Sequence, residues 1–156
     1  MMWRICLAAL VSAMLSAAPS MACTIPPGAK AKTQSVLADV NALRRKAGLR
    51  RLQESPQLEA AARIQACHMS TQGRLTHDGP GGQDIGQRIL STGYQWRAAA
   101  ENIADGYPFA DGVVAAWARS PSHRKNMMHR DMRHAGVALA YRGAKPYWVL
   151  VVAAKR

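Results

Sequence analysis

The spacing of apolar residues predicts helices in the first half of the chain. Between Ser35 and Ala47 apolar residues recur about every 3.6 positions, and Gly48 follows as a helix stop. A second helix is predicted from Ser55-Pro56, a cap residue followed by a first-turn proline, to about Gln72. Each pattern is typical of a helix that buries one face against the rest of the protein.

Shorter elements follow, and the last third has strand character. Further helical segments are predicted at residues 84–91, 111–117 and 120–127. Strands are predicted at residues 97–103, 135–141 and 147–152, and the last two are joined by a hairpin-like connection containing Gly143. Helices first and antiparallel strands later predict an α+β fold.

The N-terminus has the pattern of a signal peptide. A positive start at Arg4 precedes an apolar run from Ile5 to Ala18, and small residues occupy the cleavage positions at Ser20-Met21-Ala22. The run is shorter than the roughly 20 apolar residues of a membrane span. We therefore predict a signal peptide at 1–22, an N-terminal extension at 23–34 and one domain at 35–156, in a secreted or periplasmic protein.

The cysteines support an oxidising compartment. Cleavage removes Cys6 and leaves Cys23 and Cys67, an even pair. A disulfide between them closes a loop of about 45 residues and contributes roughly 3–4 kcal/mol. The alternative is a lipoprotein anchor through an acylated Cys23, although Ser20 stands where lipoprotein signals favour leucine.

The chain is globular in composition and strongly basic. Hydrophobic residues make up 49% of it, and the formal net charge is +12. The densest cluster, Arg44-Arg45-Lys46 with Arg50-Arg51, predicts attraction to an anionic membrane or a cell-envelope polymer. The alternative is a solvated helix end with favourable C-terminal cations. Nucleic acid is not expected as a partner, because the predicted location is outside the cytoplasm and no aromatic residue interleaves the cluster as a base-stacking surface.

Three polar residues in separate segments form the candidate site. His77, Glu101 and His123 lie in a chain otherwise rich in alanine. Two neutral imidazoles meeting at one point can bind Zn²⁺ or a similar ion, with Glu101 orienting a histidine or a water. Two ligands bind such an ion only weakly. The alternative is a hydrogen-bonded network that holds the loop after His77.

Hydrolysis is a further hypothesis, because Ser120 and Ser122 lie close to His123. Ser120 before Pro121 is, however, explained as a helix N-cap. The chain has no Gly-x-Ser-x-Gly nucleophile elbow. The remaining histidines, at 68, 129 and 134, are expected to be surface or partly packed residues.

The order of several short motifs resembles the CAP superfamily, the SCP-domain family of cysteine-rich secretory proteins, antigen 5 and pathogenesis-related 1 proteins. The resemblance is closest to its small bacterial branch and spans residues 35–154. The matching residues are Asn41, Arg44, Gly48-Leu49, Leu58, Ala61-Ala62, Met69, His77, Arg88, Gly93-Tyr94, Glu101-Asn102-Ile103, Trp117, Ser120-Pro121-Ser122-His123-Arg124, Asn126-Met127, Gly136-Val137 and Tyr147-Trp148-Val149.

The resemblance implies a three-layer α-β-α sandwich with a central, mostly antiparallel sheet. It also implies a cavity lined by two histidines and two acids. His77, Glu101 and His123 match three of those positions, and Ser120 stands at the fourth. The family also includes lipid and sterol binders, which favours a non-enzymatic binding module with a groove or basic surface for lipid or cell-envelope ligands. We also expect a monomer. The alternative function is a weak metal-dependent, protease-like hydrolase centred on the same three residues.

Overall fold

The computed structural model describes Cys23 and residues 25–156, so the predicted signal peptide lies outside the described residues. The helices are α1 (Ala29–Lys46), α2 (Pro56–Gln72), α3 (Ile85–Ser91), α4 (Ala110–Arg119) and α5 (Pro121–Met127), with a short 3-10 turn at Pro80–Gly82. The strands are β1 (Gln53–Glu54), β2 (Trp96–Asp105), β3 (His134–Arg142) and β4 (Lys145–Lys155).

One mixed sheet with the order β1-β3-β4-β2 forms the middle of the molecule. β4 pairs antiparallel with both β3 and β2, whereas the two-residue β1 pairs parallel with β3. The sheet is therefore mostly antiparallel, as expected. β2, which contains Glu101 of the candidate site, is the outermost strand on one side of the sheet.

Each face of the sheet carries its own hydrophobic core. Along β4, Tyr147, Val149 and Val151 pack in the core with residues of α2 and α3. The alternate residues Trp148 and Leu150 pack in the core with residues of α1 and α4. This alternation follows from the period of two in a strand. Helices cover both faces, so the predicted three-layer α-β-α sandwich is confirmed.

The α2 helix lies unusually close to the sheet at one glycine. A Cβ atom built on Gly136 would lie 2.0 Å from the backbone N of Glu59 and 2.1 Å from the carbonyl carbon of Leu58. Neither backbone atom can move without shifting the whole helix. The absence of a side chain at Gly136 therefore sets the distance between α2 and β3.

The first helix begins earlier than its apolar pattern predicts. α1 starts at Ala29, after Gly28 in the left-handed conformation at φ 77°, so six residues of the predicted extension belong to the helix. The sequence Ala-Lys-Ala-Lys favours a helix by propensity without showing a strong apolar stripe. Lys30 in this added turn forms ion pairs with Glu54 and with Glu59, the latter at 2.9 Å.

The predicted disulfide is present. Cys23 and Cys67 are joined, with their Cα atoms 5.1 Å apart, and the bridge ties the N-terminal segment to α2. None of the helices within the described residues combines the length and apolar character that crossing a membrane requires.

The prediction for Arg44 as part of a surface basic cluster is wrong. Its side chain is fully buried, and its guanidinium donates hydrogen bonds to carbonyl oxygens of two loops. The acceptors are Arg50 at 2.8 Å, Met127 at 2.7 Å, His129 at 3.1 Å and Met132 at 3.3 Å. Arg45, Lys46, Arg50 and Arg51 remain exposed. Arg44 instead fastens the loop after α1 to the loop before β3.

Candidate functional site

Glu101, in the middle of β2, joins two segments through its two carboxylate oxygens. Its Oε1 lies 2.8 Å from Nδ1 of His77, and its Oε2 accepts a hydrogen bond of 2.7 Å from Nη2 of Arg88. The side chains of Glu101 and Arg88 are only 3% and 1% exposed, whereas that of His77 is 59% exposed. The buried carboxylate of Glu101 therefore holds the exposed imidazole of His77 in place.

Arg88 also fixes the backbone of the loop that carries His77. Its Nη1 donates to the carbonyl oxygen of His77 at 3.0 Å and to that of Gln83 at 2.8 Å. Arg88 lies on α3, which Asp84 begins with a capping box. The buried Gln65 of α2 adds hydrogen bonds from its side-chain amide to loop carbonyls. His77 is thus held by its side chain and by its main chain.

On the other face of β2, two asparagines hold the helix that carries the second histidine. Asn102 donates a hydrogen bond of 3.0 Å to the carbonyl oxygen of His123. Asn126, one turn later on α5, donates to the side-chain oxygen of Asn102 at 2.9 Å and to the carbonyl oxygen of Glu101 at 3.2 Å. These contacts fix α5 against the outer strand.

The two histidines come from opposite layers and interact electrostatically at the edge of the sheet. The hydrogen bond with Glu101 is the main cause that raises the pKa of His77. Burial lowers the pKa of His123, and the nearby positive charge of His77 lowers it further. Between the two pKa values, His77 is protonated while His123 is neutral. The structure therefore joins His77 to Glu101, and His123 lies near enough to His77 for its charge to be felt.

Ser120 lies at the junction of α4 and α5 and is the N-cap residue of α5, as predicted, but its side chain forms no capping hydrogen bond. The backbone carbonyl of Ser120 accepts the first helical hydrogen bond, from Arg124 N at 2.8 Å, but its side chain accepts none from the helix. Its Oγ instead lies 3.2 Å from Oγ of Ser122. Within the described residues, Ser120 makes no hydrogen bond to His77, Glu101 or His123.

The donor set suits a weakly held cation. Because Nδ1 of His77 is occupied by Glu101, its Nε2 is the nitrogen left for a ligand, and a carboxylate behind a histidine is a common arrangement at metal sites. Across Cys23 and residues 25–156, no three His, Cys, Asp or Glu side chains are grouped so that they could hold a metal. Two histidines fit an exchangeable ion and not a four-ligand structural site.

The roles of three residues were not recognised from the sequence. Arg88 and Asn102 belong to the matching motifs, and Asn126 follows His123 by one helical turn. Spacing gave a signal in two cases: Asn102 follows Glu101 in a strand, and Asn126 shares a helix face with His123. Nothing in the sequence indicates that Arg88 meets Glu101, because this contact depends on how α3 packs against β2.

An open groove of about 480 Å³ lies elsewhere, between α1 and α4. Its walls are mainly apolar, and charged side chains also line it. The lining residues are Asp39, Ala42, Leu43, Asp111, Val114, Ala115, Ala118 and Arg119. None of the candidate site residues lines this groove, so it is a separate surface.

Most of the described chain is similar to one known protein family. Residues 37–153 match the family model described as CAP, the cysteine-rich secretory protein family. The uncharacterized protein YkwD of Bacillus subtilis (strain 168) is 32% identical over 119 residues, which cover 76% of this chain. The match covers 46% of YkwD, so this chain spans less than half the length of that relative.

Solved structures share the fold. An outer surface protein from Borrelia burgdorferi superposes with a TM-score of 0.76 and 23% identity, covering 81% of this chain and 95% of that protein. The structure of NaASP2 with Zn²⁺ has a TM-score of 0.58 and 14% identity, covering 83% of each chain. At these identities the similarity establishes the fold and no shared activity.

Proposed function

Because the chain belongs to the CAP family of cysteine-rich secretory proteins, we propose that it is a secreted binding module that holds a divalent cation between His77 and His123. The observation that carries the proposal is the hydrogen bond of 2.8 Å between Glu101 and Nδ1 of His77. It orients the ring so that Nε2 is available, and the burial that lowers the pKa of His123 favours the neutral form of the second imidazole.

Export is supported by three observations. The first 22 residues have the pattern of a signal peptide. The disulfide between Cys23 and Cys67 is typical of an oxidising compartment. A protein of the same fold carries the description outer surface protein. A secreted or periplasmic location is therefore part of the proposal. Acylation of Cys23 would exclude the disulfide.

Zn²⁺ is the cation that we propose, because imidazole nitrogen suits it and NaASP2 has been solved with Zn²⁺. When bound, the ion would act as a Lewis acid or as a bridge to an acidic ligand. The raised pKa of His77 means that a proton competes for the same imidazole. Affinity should therefore be modest and should fall as the solution becomes more acidic.

Calorimetric titration of the mature protein with zinc chloride tests the proposal. We expect one weak binding event near pH 7.5 that is lost in both His77→Ala and His123→Ala. His68→Ala is the matched control, because His68 is a half-buried histidine on α2 beside the disulfide, away from β2. Zinc binding that survives both site variants would refute the proposal.

Two further surfaces could serve a binding module. The apolar groove between α1 and α4 suits the acyl chain of a lipid. The exposed cations at Arg45, Lys46, Arg50 and Arg51 suit an anionic membrane or a cell-envelope polymer. Native mass spectrometry of the secreted protein tests the first role through co-purified lipid. Retention on anionic but not on neutral vesicles, reversed by salt, tests the second.

A weak metal-dependent hydrolase is the second candidate function, and the short distance between Ser120 and Ser122 beside His123 is the observation in its favour. Against it, the imidazole of His123 makes no hydrogen bond to any other described residue, and only its backbone carbonyl accepts one from a side chain. A general base usually has a partner that orients its ring. Turnover of casein or p-nitrophenyl acetate that a chelator abolishes, and that His123→Ala lacks, would favour the enzyme.

A further inference from the structure

The outer edge of β2 carries Glu101 of the candidate site, and one hydrogen bond shows which way the backbone groups of this strand point. Gly106 N, just after the strand, donates to Pro146 O at 2.9 Å, so the N–H of residue 106 points toward β4. Backbone groups alternate along an antiparallel strand. The N–H and C=O groups of Ala99, Glu101 and Ile103 therefore point away from β4, toward the outside of the sheet.

Side chains of the two flanking helices occupy the carbonyls in one half of this edge. Asn126 donates to the carbonyl oxygen of Glu101 at 3.2 Å. The indole of Trp117 donates to the carbonyl oxygen of Ile103, also at 3.2 Å. Both donors lie outside the sheet, on different helices, so these contacts independently confirm that the two carbonyls point outward.

The other half of the edge has no such partner. Among Cys23 and residues 25–156, no hydrogen bond reaches the N–H or C=O of Ala99 or the N–H of Glu101. Ala98, Ala99 and Ala100 are half-buried, and their methyl groups give no steric protection. Exposed edges are usually guarded by proline, charge or a covering element. The nearest feature that would hinder pairing with another strand is the irregular pairing between Trp96 and Ala98, at the start of β2.

We propose that the backbone at Ala99 and Glu101 is a docking site for an extended peptide segment, which adds to the sheet between His77 and His123. A polypeptide main chain presents donors and acceptors at the spacing of this edge, as in other cases of strand addition. The formal net charge of +12 favours acidic over basic peptides. This site does not require a bound cation, so it goes beyond the zinc proposal.

One substitution separates strand addition from a general structural effect. Ala99→Pro removes an N–H that has no partner within the described residues, and proline is tolerated at such edge positions. The same change removes a donor that the peptide needs and places a ring in its path. Ala99→Val is the matched control, because it adds similar volume but keeps the N–H and favours a strand.

The experiment uses the mature, disulfide-bonded protein in a buffer with EDTA, so that failure of zinc binding does not affect it. A phage-displayed library of random dodecapeptides is selected against the immobilised protein. The best peptide is synthesised with a fluorophore, and its affinity for each variant is measured by anisotropy. We expect at least tenfold weaker binding by Ala99→Pro and a change of less than threefold for Ala99→Val.

Amide hydrogen exchange of the wild-type protein keeps the test decisive if Ala99→Pro does not fold. The peptide should slow exchange at Ala99 and Glu101 and leave the amides of α2 unchanged. The proposal is overturned if no peptide is selected, if a folded Ala99→Pro binds as well as the wild type, or if the protection lies at other amides.

Discussion

Glu101 and Asn102 are consecutive residues of β2, yet their side chains bind segments in opposite layers of the sandwich. Glu101 holds His77 and Arg88 on the side of α2 and α3, whereas Asn102 binds the backbone of His123 on the side of α5. The alternation of a strand causes this division. Two adjacent residues therefore position both histidines of the candidate site.

Replacing Glu101 by Gln should destabilise the fold by about 3 kcal/mol, because it leaves the buried guanidinium of Arg88 without its counter-charge. The measurement is the free energy of unfolding in urea. Asp105→Asn is the matched control on the same strand, since its partner Lys145 is half-exposed. Asp105→Asn should lower the free energy of unfolding much less, because solvent screens an exposed ion pair. Equal losses in the two variants would contradict the anchoring role of Glu101.

The two site histidines should titrate in opposite directions from the ordinary pKa near 6.5. NMR of the ring signals should give a higher value for His77, because Glu101 binds its protonated form, and a lower value for His123, because burial disfavours the charge. In Glu101→Gln the pKa of His77 should fall. A pKa of His77 that this substitution leaves unchanged would contradict the assigned cause.

These shifts have opposite consequences for stability. The contribution of His77 is fully present below about pH 6.5 and is lost as the pH rises through its folded pKa, because the folded state holds the proton more tightly. His123 acts in the other sense, and stability falls as the pH drops below about 6.5. The measurement is the free energy of unfolding across this pH range. The difference between wild type and His77→Ala should shrink as the pH rises, and the difference between wild type and His123→Ala should shrink as the pH falls.

Adding one methyl group at Gly136 should be severely destabilising. The new Cβ would meet the α2 backbone at 2.0 Å, and overpacking of this kind costs about 3 kcal/mol or prevents folding. Gly112→Ala is the matched control, because its Cβ would meet only Tyr107, at 3.6 Å. A helical glycine replaced by alanine should stabilise α4 by about 0.5–1 kcal/mol. Thermal unfolding of both variants measures the contrast.

Removal of the disulfide should lower stability by about 4 kcal/mol, because the loop between Cys23 and Cys67 spans 44 residues. The variant Cys23→Ser with Cys67→Ser should unfold at lower denaturant concentration than the oxidised wild type. Reduced wild-type protein is the matched control and should behave like the double variant. Intact-mass measurement of the secreted protein checks the alternative, since an acylated Cys23 would add the mass of its lipid.

Local signals in the sequence were sufficient for much of the fold. Ser55-Pro56 and Gly73 mark the ends of α2 as observed, because capping and the left-handed stop depend on neighbouring residues. The strand pattern at the C-terminus likewise predicted β3 and β4 to within a few residues. The start of α1 was missed, because residues 29–34 form a helix by propensity and by contacts with α2 that a periodic pattern does not show.

The sequence by itself determined the family, the order of elements and the disulfide pair, and it predicted His77, Glu101 and His123 as the candidate site. Only the tertiary structure decided which charges are buried. Arg44 and Arg88 look like surface cations in the sequence, but each lies inside the protein because carbonyls or a carboxylate from distant segments satisfy its donors. Such pairings depend on how helices pack on the sheet, and that packing also left the N–H and C=O of Ala99 without a partner among the described residues.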